Sequence, residues 1–165
     1  MLCFQTQVEN PATRWCGVFA GEAREPIAVF TGGGGTVGPR TAPASHWILL
    51  VDDDFTLRAG LAELLTSHGY HVVCAADGME ALSCLEHEAR WSAILLDIMM
   101  PRLSGVELRQ LQMRASGLRG IPTIALTAMP SLSQLDDCAF HAVFAKPLDT
   151  KRLVGMLSDI CRQAA

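Results

Sequence analysis

The stretch ILLVDDD, residues 48–54, places a short apolar run directly before a cluster of carboxylates. Three further runs end in a polar residue in the same way: AILL before Asp97, TIAL before Thr127 and AVFA before Lys146. Short runs rich in Ile, Leu and Val are typical of buried strands. The segments between them have helical periodicity, and strands that alternate with helices indicate a parallel sheet covered on both faces. The sequence therefore predicts a doubly wound α/β fold.

Five predicted strand–helix units follow one another from His46 onward. The predicted strands are Trp47–Val51, His71–Ala75, Ala93–Leu96, Thr123–Leu126 and Ala142–Ala145. The first of five predicted helices spans about Phe55–His68. The other four begin near Asp77, near Ser104, after Pro130 and at Thr150. Asp54 precedes the first helix as an N-cap, and Asp77 and Ser104 each stand three residues before a Glu, the spacing of a capping box.

Residues 1–45 differ in composition from the rest of the chain. They contain four prolines and the run Gly32–Gly35, and they show no helical period. We expect them to form an N-terminal extension that ends in a flexible linker, with the domain at 46–165. CGVFA and IAVF within the extension could form two short strands, although two strands alone are marginal. The glycine run lacks the Lys-Ser/Thr pair that a phosphate-binding P-loop requires.

Composition narrows the class of protein. The chain has 165 residues and a net charge of −4, so nothing in its charge indicates a nucleic-acid surface. It has neither an apolar run long enough to span a membrane nor a signal-peptide pattern at its N-terminus. Its six cysteines form no CxxC motif, which favours buried thiols and a reducing cytoplasm over a disulfide framework.

The polar residues at the strand ends suggest a common site, because parallel sheets bind ligands beyond the carboxyl ends of their strands. Asp52 and Asp53 repel each other, and Asp97 adds to this repulsion, so a divalent cation such as Mg²⁺ is the simplest neutralising partner. Asp97 ends its strand alone and is placed to attack phosphorus and form an aspartyl phosphate. Thr127 is expected to donate a hydrogen bond to the phosphoryl group, and Lys146 to pair with it.

Two neighbours of these residues complete the expected site. Ala128 is small enough to leave the phosphoryl position accessible. The Lys146–Pro147 bond is a candidate for a cis peptide that fixes the turn. Capping alone would not require three acids at two strand ends, although it suffices for Asp54.

Five segments in chain order carry a family resemblance: ILLVDDD, AADGMEAL, ILLDIMMPRLSGVEL, IPTIALTA and AKPLD. They make residues 46–165 similar to the receiver domain of two-component response regulators. The resemblance implies a flavodoxin-like sheet in the order 2-1-3-4-5. It implies that Asp97 takes a phosphoryl group from a histidine kinase or a histidine phosphotransfer protein. It also implies no enzymatic activity beyond the protein's own phosphorylation and dephosphorylation.

The resemblance also assigns roles within the site. Mg²⁺ would be bound by Asp53, Asp97 and the backbone carbonyl of Met99, with Asp52 acting through water. Thr127 and Lys146 would hold the phosphoryl group, and Thr127 would move toward it as part of the conformational switch.

Two departures from the family pattern concern the readout of phosphorylation. The place three residues before the lysine is usually Tyr or Phe, whose ring swings inward; here it is Val143, with Phe144 next. The stretch from Thr127 to Lys146 is also shorter than usual by roughly one helical turn. We therefore expect the phosphorylation chemistry to be kept and the usual switch to be altered.

A phosphohydrolase of the haloacid dehalogenase type is the competing interpretation. There Asp52 would be the nucleophile and Asp54 the general acid, but Asp97 would have no role and the later acidic motif is missing. Within the receiver interpretation three outputs stay open: a free-standing receiver acting through protein contacts, a phosphorelay shuttle, or the C-terminal receiver of a hybrid histidine kinase.

Overall fold

A computed structural model describes residues 29–30, 46–87, 91–129 and 133–163. The strands are β1 (Val29–Phe30), β2 (Trp47–Val51), β3 (His71–Ala75), β4 (Trp91–Asp97), β5 (Thr123–Thr127) and β6 (Ala142–Ala145). The α-helices are α1 (Phe55–Ser67), α2 (Gly78–His87), α3 (Gly105–Arg114) and α4 (Thr150–Gln163), and a 3-10 helix spans Ser133–Cys138.

The strands form one sheet in the order β1-β3-β2-β4-β5-β6. All pairs from β3 to β6 are parallel, whereas β1 pairs antiparallel with β3. Counted from Trp47, the parallel strands therefore follow the predicted flavodoxin-like order 2-1-3-4-5. The pairing of Val29 with Val73 and of Phe30 with Val72 adds an edge strand from the IAVF segment. The CGVFA segment and the glycine run lie outside the described residues.

The sheet has a core on each face, because successive strand residues point to opposite sides. Ile48 and Leu50 of β2 pack with residues of α1 and α4, whereas Leu49 and Val51 pack with residues of α2 and α3. The predicted inward residues of α4 (Leu153, Leu157 and Ile160) are all buried. Both faces of the parallel strands are thus covered, as the continuous apolar runs predicted.

Local signals fix the helix ends. The Asp54 carboxylate accepts hydrogen bonds from the N–H groups of Thr56 (2.8 Å) and Leu57 (3.1 Å), which confirms it as the cap of α1. Ser104 and Glu107 form the predicted capping box at α3. At α2 the geometry differs from the prediction in one detail, since Glu80 accepts from the N–H of Ala76.

The predicted short fourth helix is present as the 3-10 helix Ser133–Cys138. A 3-10 helix rises about 2.0 Å per residue against about 1.5 Å in an α-helix, so it spans more distance with fewer residues. The shortened connection between β5 and β6 accounts for this choice. The described residues therefore contain four α-helices and one 3-10 helix at the places of the five predicted helices.

Two predictions from composition bear on the described part of the chain. Cys74, Cys84, Cys138 and Cys161 are buried thiols, as expected, and burial raises the pKa of Cys74 and of Cys84 to about 12. Cys3 and Cys16 lie outside the described residues. Within the described ranges, no helix combines the length and apolarity needed to cross a membrane.

Candidate functional site

The carboxyl edge of the sheet brings the predicted site residues together. Asp52 follows the last residue of β2, and Asp97 is the last residue of β4, which lies beside it. Thr127 ends β5 and pairs in register with Ala145, the residue before Lys146. The N–H of Lys146 donates to the Thr127 carbonyl at 2.8 Å. Four consecutive strands of the sheet thus each end in one polar side chain of the site.

Lys146 links two of the carboxylates. Its ammonium donates to Asp52 Oδ2 at 2.8 Å and to Asp97 Oδ2 at 2.7 Å. The other oxygens of these carboxylates are also bonded, since Asp52 Oδ1 accepts from the N–H of Asp54 and Asp97 Oδ1 from the N–H of Met99. Asp52 is fully buried, Asp97 nearly so, and Asp53 is exposed. Lys146 therefore pairs with Asp97, and Asp52 shares its ammonium.

Burial and charge act in opposite directions on these groups. Burial raises the pKa of the Asp52 carboxyl, and the hydrogen bonds from Lys146 and from the Asp54 N–H offset only part of that rise. For Lys146, burial lowers the pKa, but hydrogen bonds to Asp52 and Asp97 and the charges of both outweigh it, so the pKa is raised. The ammonium therefore keeps its proton, while one cation shared by two buried carboxylates leaves the cluster short of positive charge.

The acid cluster fits Mg²⁺ as judged by donor type and spacing. One carboxylate oxygen each from Asp52, Asp53 and Asp97 lie within 4.8 Å of one another. Octahedral Mg²⁺ with ligands at about 2.1 Å places opposite ligands about 4.2 Å apart, so a small adjustment or an intervening water completes the fit. Asp52 and Asp97 are buried, unlike the solvated acids of an ordinary surface. These three residues can hold the ion and leave other positions for phosphoryl oxygen and water.

The remaining predicted residues surround this cluster. Thr127 is fully buried, and its Oγ1 accepts a hydrogen bond of 3.0 Å from the N–H of Met129. Its hydroxyl proton is thus available to another acceptor. Ala128 is exposed beside it, which leaves the access that was expected. Met99 lies two residues after Asp97 with an exposed side chain. The Lys146–Pro147 peptide is cis, as proposed from the sequence.

Val143 and Phe144 lie on opposite faces of β6. Val143 is partly buried against the cluster that contains Ile98, Ala125 and Leu135. Phe144 is buried in the other core, and the Arg152 guanidinium lies 5.0 Å from its ring centroid. Phe144 consequently cannot take the place of the aromatic residue missing at 143, because a strand alternates its side chains between faces.

Three arginines near the site or the 3-10 helix form contacts for which the sequence predicted no role. Arg58 donates to the backbone carbonyl of Asp52. Arg102 forms an ion pair with the buried Asp77. Arg109 of α3 is buried and donates to the carbonyls of Cys138 (3.0 Å) and Ala139 (2.7 Å) at the end of the 3-10 helix. Arg102 could have been singled out from the sequence as a basic residue in the turn after Asp97. No feature of the sequence indicates a role for Arg109.

Comparison with known proteins agrees with this geometry. The family model for the response regulator receiver domain matches residues 48–158. Response regulator MprA of Mycobacterium avium (strain 104) is 44% identical over 119 residues, which cover 70% of this chain and 51% of that protein. MprA of Mycobacterium sp. (strain KMS) is 36% identical over 121 residues, covering 72% and 51%. The chain thus spans about half the length of these relatives.

Solved structures show the same fold. The receiver domain of a sensor histidine kinase from Pseudomonas aeruginosa PAO1, with magnesium coordinated in its active-site cleft, is 29% identical with a TM-score of 0.65 and covers 71% of this chain and 98% of that one. TrrA of Thermotoga maritima in complex with Mg²⁺ and beryllofluoride is 27% identical with a TM-score of 0.62, covering 70% and 98%. From the matched family model, these likenesses and the site at the strand ends, the chain belongs to the response regulator receiver domain family of two-component signal transduction.

Proposed function

We propose that Asp97 is the phosphoacceptor of this receiver domain, with Mg²⁺ as the cofactor. The observation that carries the proposal is the convergence of Asp97, Asp52 and Lys146 at one edge of the sheet, with Nζ–Oδ distances of 2.7 and 2.8 Å. Asp97 belongs to the acid cluster and is held by Lys146, so a phosphoryl group on its carboxylate would meet both a bound cation and an ammonium. Alternative roles such as capping leave this convergence unexplained.

The transfer requires few groups from the protein. An Asp97 carboxylate oxygen attacks phosphorus in line, and the phosphorus–nitrogen bond of the phosphohistidine donor breaks with its electron pair going to the imidazole. Mg²⁺ bound by Asp53, Asp97 and the Met99 carbonyl would neutralise charge on the phosphoryl oxygens. Lys146 then exchanges its bond to Asp97 for one to the phosphoryl group, and Thr127 donates its hydroxyl proton to the same group.

A small phosphodonor such as acetyl phosphate or phosphoramidate, with Mg²⁺, provides the direct test. Intact-mass analysis of the full chain is expected to show one added phosphoryl group, and Asp97→Ala and Asp97→Asn are expected to show none. Asp137→Asn, which changes an exposed acid away from the site, is the matched control and is expected to label like the wild type. Equal labelling of the Asp97 variants would overturn the assignment.

The same variants separate this function from the haloacid dehalogenase alternative. A hydrolase that uses Asp52 as nucleophile would retain activity in Asp97→Asn, whereas a receiver loses its chemistry. The family model and the relatives named above support the receiver. The bond from Asp97 to Lys146 supports it too, because the hydrolase interpretation gives Asp97 no role.

We infer that the phosphodonor is a histidine kinase or a histidine phosphotransfer protein, and that the output runs through protein contacts without nucleic acid. The altered switch position at Val143 favours phosphate relay or sequestration over output driven by dimerisation. A free-standing receiver and the receiver of a hybrid kinase remain within this proposal. Phosphotransfer from purified candidate kinases to the wild type, compared with Asp97→Ala, identifies the donor.

A further inference from the structure

The loop between β4 and α3 carries Met99, whose carbonyl is the proposed backbone ligand of Mg²⁺. The first part of this loop is held by core packing and by a backbone hydrogen bond to β5. Ile98 and Met100 are buried, and the Ile98 N–H donates to the Leu126 carbonyl at 3.0 Å. At its far end, the Gly105 N–H donates to the Ile98 carbonyl at 3.1 Å. The contacts that hold the outer turn between these anchors help to fix the position of the Met99 carbonyl.

The outer turn contains Arg102 in an unfavourable backbone conformation. Its φ is 69°, in the left-handed region that non-glycine residues rarely occupy. Such a conformation persists only when surrounding contacts hold it. The Arg102 guanidinium pairs with the Asp77 carboxylate of the neighbouring loop, which ties this turn to the body of the domain together with the packing of Leu103.

Asp77 is arranged to receive that guanidinium. Its side chain is 1% exposed, and its Oδ1 caps α2 by accepting from the N–H groups of Met79 (2.8 Å) and Glu80 (3.0 Å). Its Oδ2 is buried and has no hydrogen bond within the described residues, so the Arg102 charge is what compensates it. The next residue, Gly78, allows close contact with the turn, because a Cβ there would lie 2.6 Å from the Leu103 carbonyl oxygen.

We propose that the Asp77–Arg102 pair positions the Met99 carbonyl for Mg²⁺, and so sets the affinity of the phosphorylation site for the ion. The pair fastens the β4–α3 loop to the N-terminus of α2. Neither residue contacts the ion, so both are positioning residues. This inference rests on the proposed function, since it concerns the same Mg²⁺ site.

The two partners allow a positioning role to be distinguished from a purely electrostatic effect on Mg²⁺ affinity. Removing the negative charge of Asp77 should weaken binding of a cation, whereas removing the positive charge of Arg102 should strengthen it. Loss of positioning weakens binding in both cases. Changes to groups that orient a metal ligand typically cost about 10-fold or more in affinity. We therefore expect Asp77→Asn and Arg102→Gln each to raise the Kd for Mg²⁺ by about 10-fold.

Isothermal titration of MgCl₂ into the full unphosphorylated chain measures these affinities. Asn caps a helix about as well as Asp, so Asp77→Asn is expected to keep α2 intact. Arg102→Lys restores the charge and is expected to recover most of the affinity. Arg119→Gln is the matched control, because it removes an exposed positive charge in the turn before β5, at the opposite edge of the sheet.

The outcomes distinguish this inference from the function on which it rests. Weaker binding in Arg102→Gln, with recovery in Arg102→Lys and no change in Arg119→Gln, supports positioning. Unchanged or tighter binding in Arg102→Gln overturns it, even if the wild type binds Mg²⁺ and Asp97 is phosphorylated. A wild-type chain that does not bind Mg²⁺ overturns both the positioning role and the proposed cofactor.

Discussion

Lys146 lies between two carboxylates that come from different strands, and its ammonium is the cation that the structure places between them. Asp52 and Asp97 are both buried beside it. Removing one partner of a buried ion pair leaves uncompensated charge, which costs more than the pair itself contributes. At the scale of single residues, the two carboxylates are therefore held together by a group that, in the proposed mechanism, moves to the phosphoryl oxygen.

Lys146→Met is expected to lower the free energy of unfolding by about 2 kcal/mol in EDTA, less than the roughly 3–5 kcal/mol for a fully buried pair, because Lys146 is partly exposed. Mg²⁺ should recover much of this loss, since it supplies positive charge to the same carboxylates. Thermal melts with EDTA and with MgCl₂ measure both effects. Lys151→Met, at an exposed position of α4, is the control. An equal gain from Mg²⁺ in wild type and variant would contradict the shared role.

The sequence predicted these residues because each follows an apolar strand, and strand ends in a parallel sheet converge by topology alone. Asp52, Asp97, Thr127 and Lys146 could be placed together in this way. Arg102 could not, because its contact with Asp77 depends on one backbone angle in a turn. Arg109 could not be predicted for a similar reason, since its hydrogen-bond partners include two backbone carbonyls that any sequence would supply.

At the scale of elements, the start of α3 lies unusually close to the end of β4. A Cβ on Gly105 would lie 2.2 Å from the Asp97 carbonyl oxygen and 2.8 Å from Ile98 Cα. Both are backbone atoms that cannot rotate away. The absence of a side chain at this position is thus a condition for the present position of the Asp97 backbone.

Gly105→Ala is expected to destabilise the fold and to slow phosphorylation of Asp97, because the backbone of residues 97–98 must shift. Gly155→Ala in α4 is the control: its Cβ meets nothing within 4 Å, so it should gain up to about 1 kcal/mol from helix propensity. Denaturant unfolding and labelling rates measured on both variants test the contrast. A Gly105→Ala protein as stable and as reactive as the wild type would contradict the packing argument.

The 3-10 helix and β6 form the element-scale departure from the family pattern. Arg109 fastens the end of the 3-10 helix to α3, and its guanidinium is also bonded to Gln112 (2.8 Å) and Thr123 (3.2 Å). Thr123 in turn donates to Gln112 Oε1 at 2.9 Å. A buried network of this kind resists rearrangement, because breaking several of its bonds together leaves buried polar groups without partners.

Beryllofluoride with Mg²⁺ is therefore expected to cause little new amide protection across residues 133–150 and no shift from monomer to dimer. A ligand shifts a conformation only as far as its differential interaction with the two states allows, and Val143 offers no aromatic ring for that interaction. Hydrogen exchange and size-exclusion chromatography measure the two responses. Val143→Tyr restores the usual ring and should enlarge the response. Strong protection or dimerisation of the wild type would show that the switch is intact.

At the scale of the whole molecule, the parallel sheet and its two main cores are built from residues after His46. The strands and the helices on both faces were predicted from apolar runs that alternate with helical patterns, whereas the strand order was implied by the resemblance to receiver domains. Whether the fourth helix is an α-helix or a 3-10 helix could not be predicted from the sequence. It depends on the distance that the shortened connection between β5 and β6 must span. The pairing of Val29 and Phe30 with β3 was also open, because a two-residue strand carries almost no periodic signal.

A chain truncated to begin at Ala44 is expected to unfold in one cooperative transition with a melting temperature close to that of the full chain. The reason is that only two residues of the extension pair with the sheet in the described structure. Calorimetry of both chains, with agreement between calorimetric and van't Hoff enthalpies, provides the measurement. A large drop in melting temperature would mean that the extension contributes to the core.

The pairing of β1 with β3 has a consequence for solubility. β3 is the apolar strand HVVCA, and without β1 its outer backbone groups would be open to a strand from another molecule. Exposed edges of this kind are templates for aggregation, and proteins commonly cover them with short strands or loops. Val29 and Phe30 occupy part of this edge in antiparallel orientation. Val29 and Phe30 thus protect part of this edge from pairing with another molecule. We expect their removal to show first as precipitation at high protein concentration.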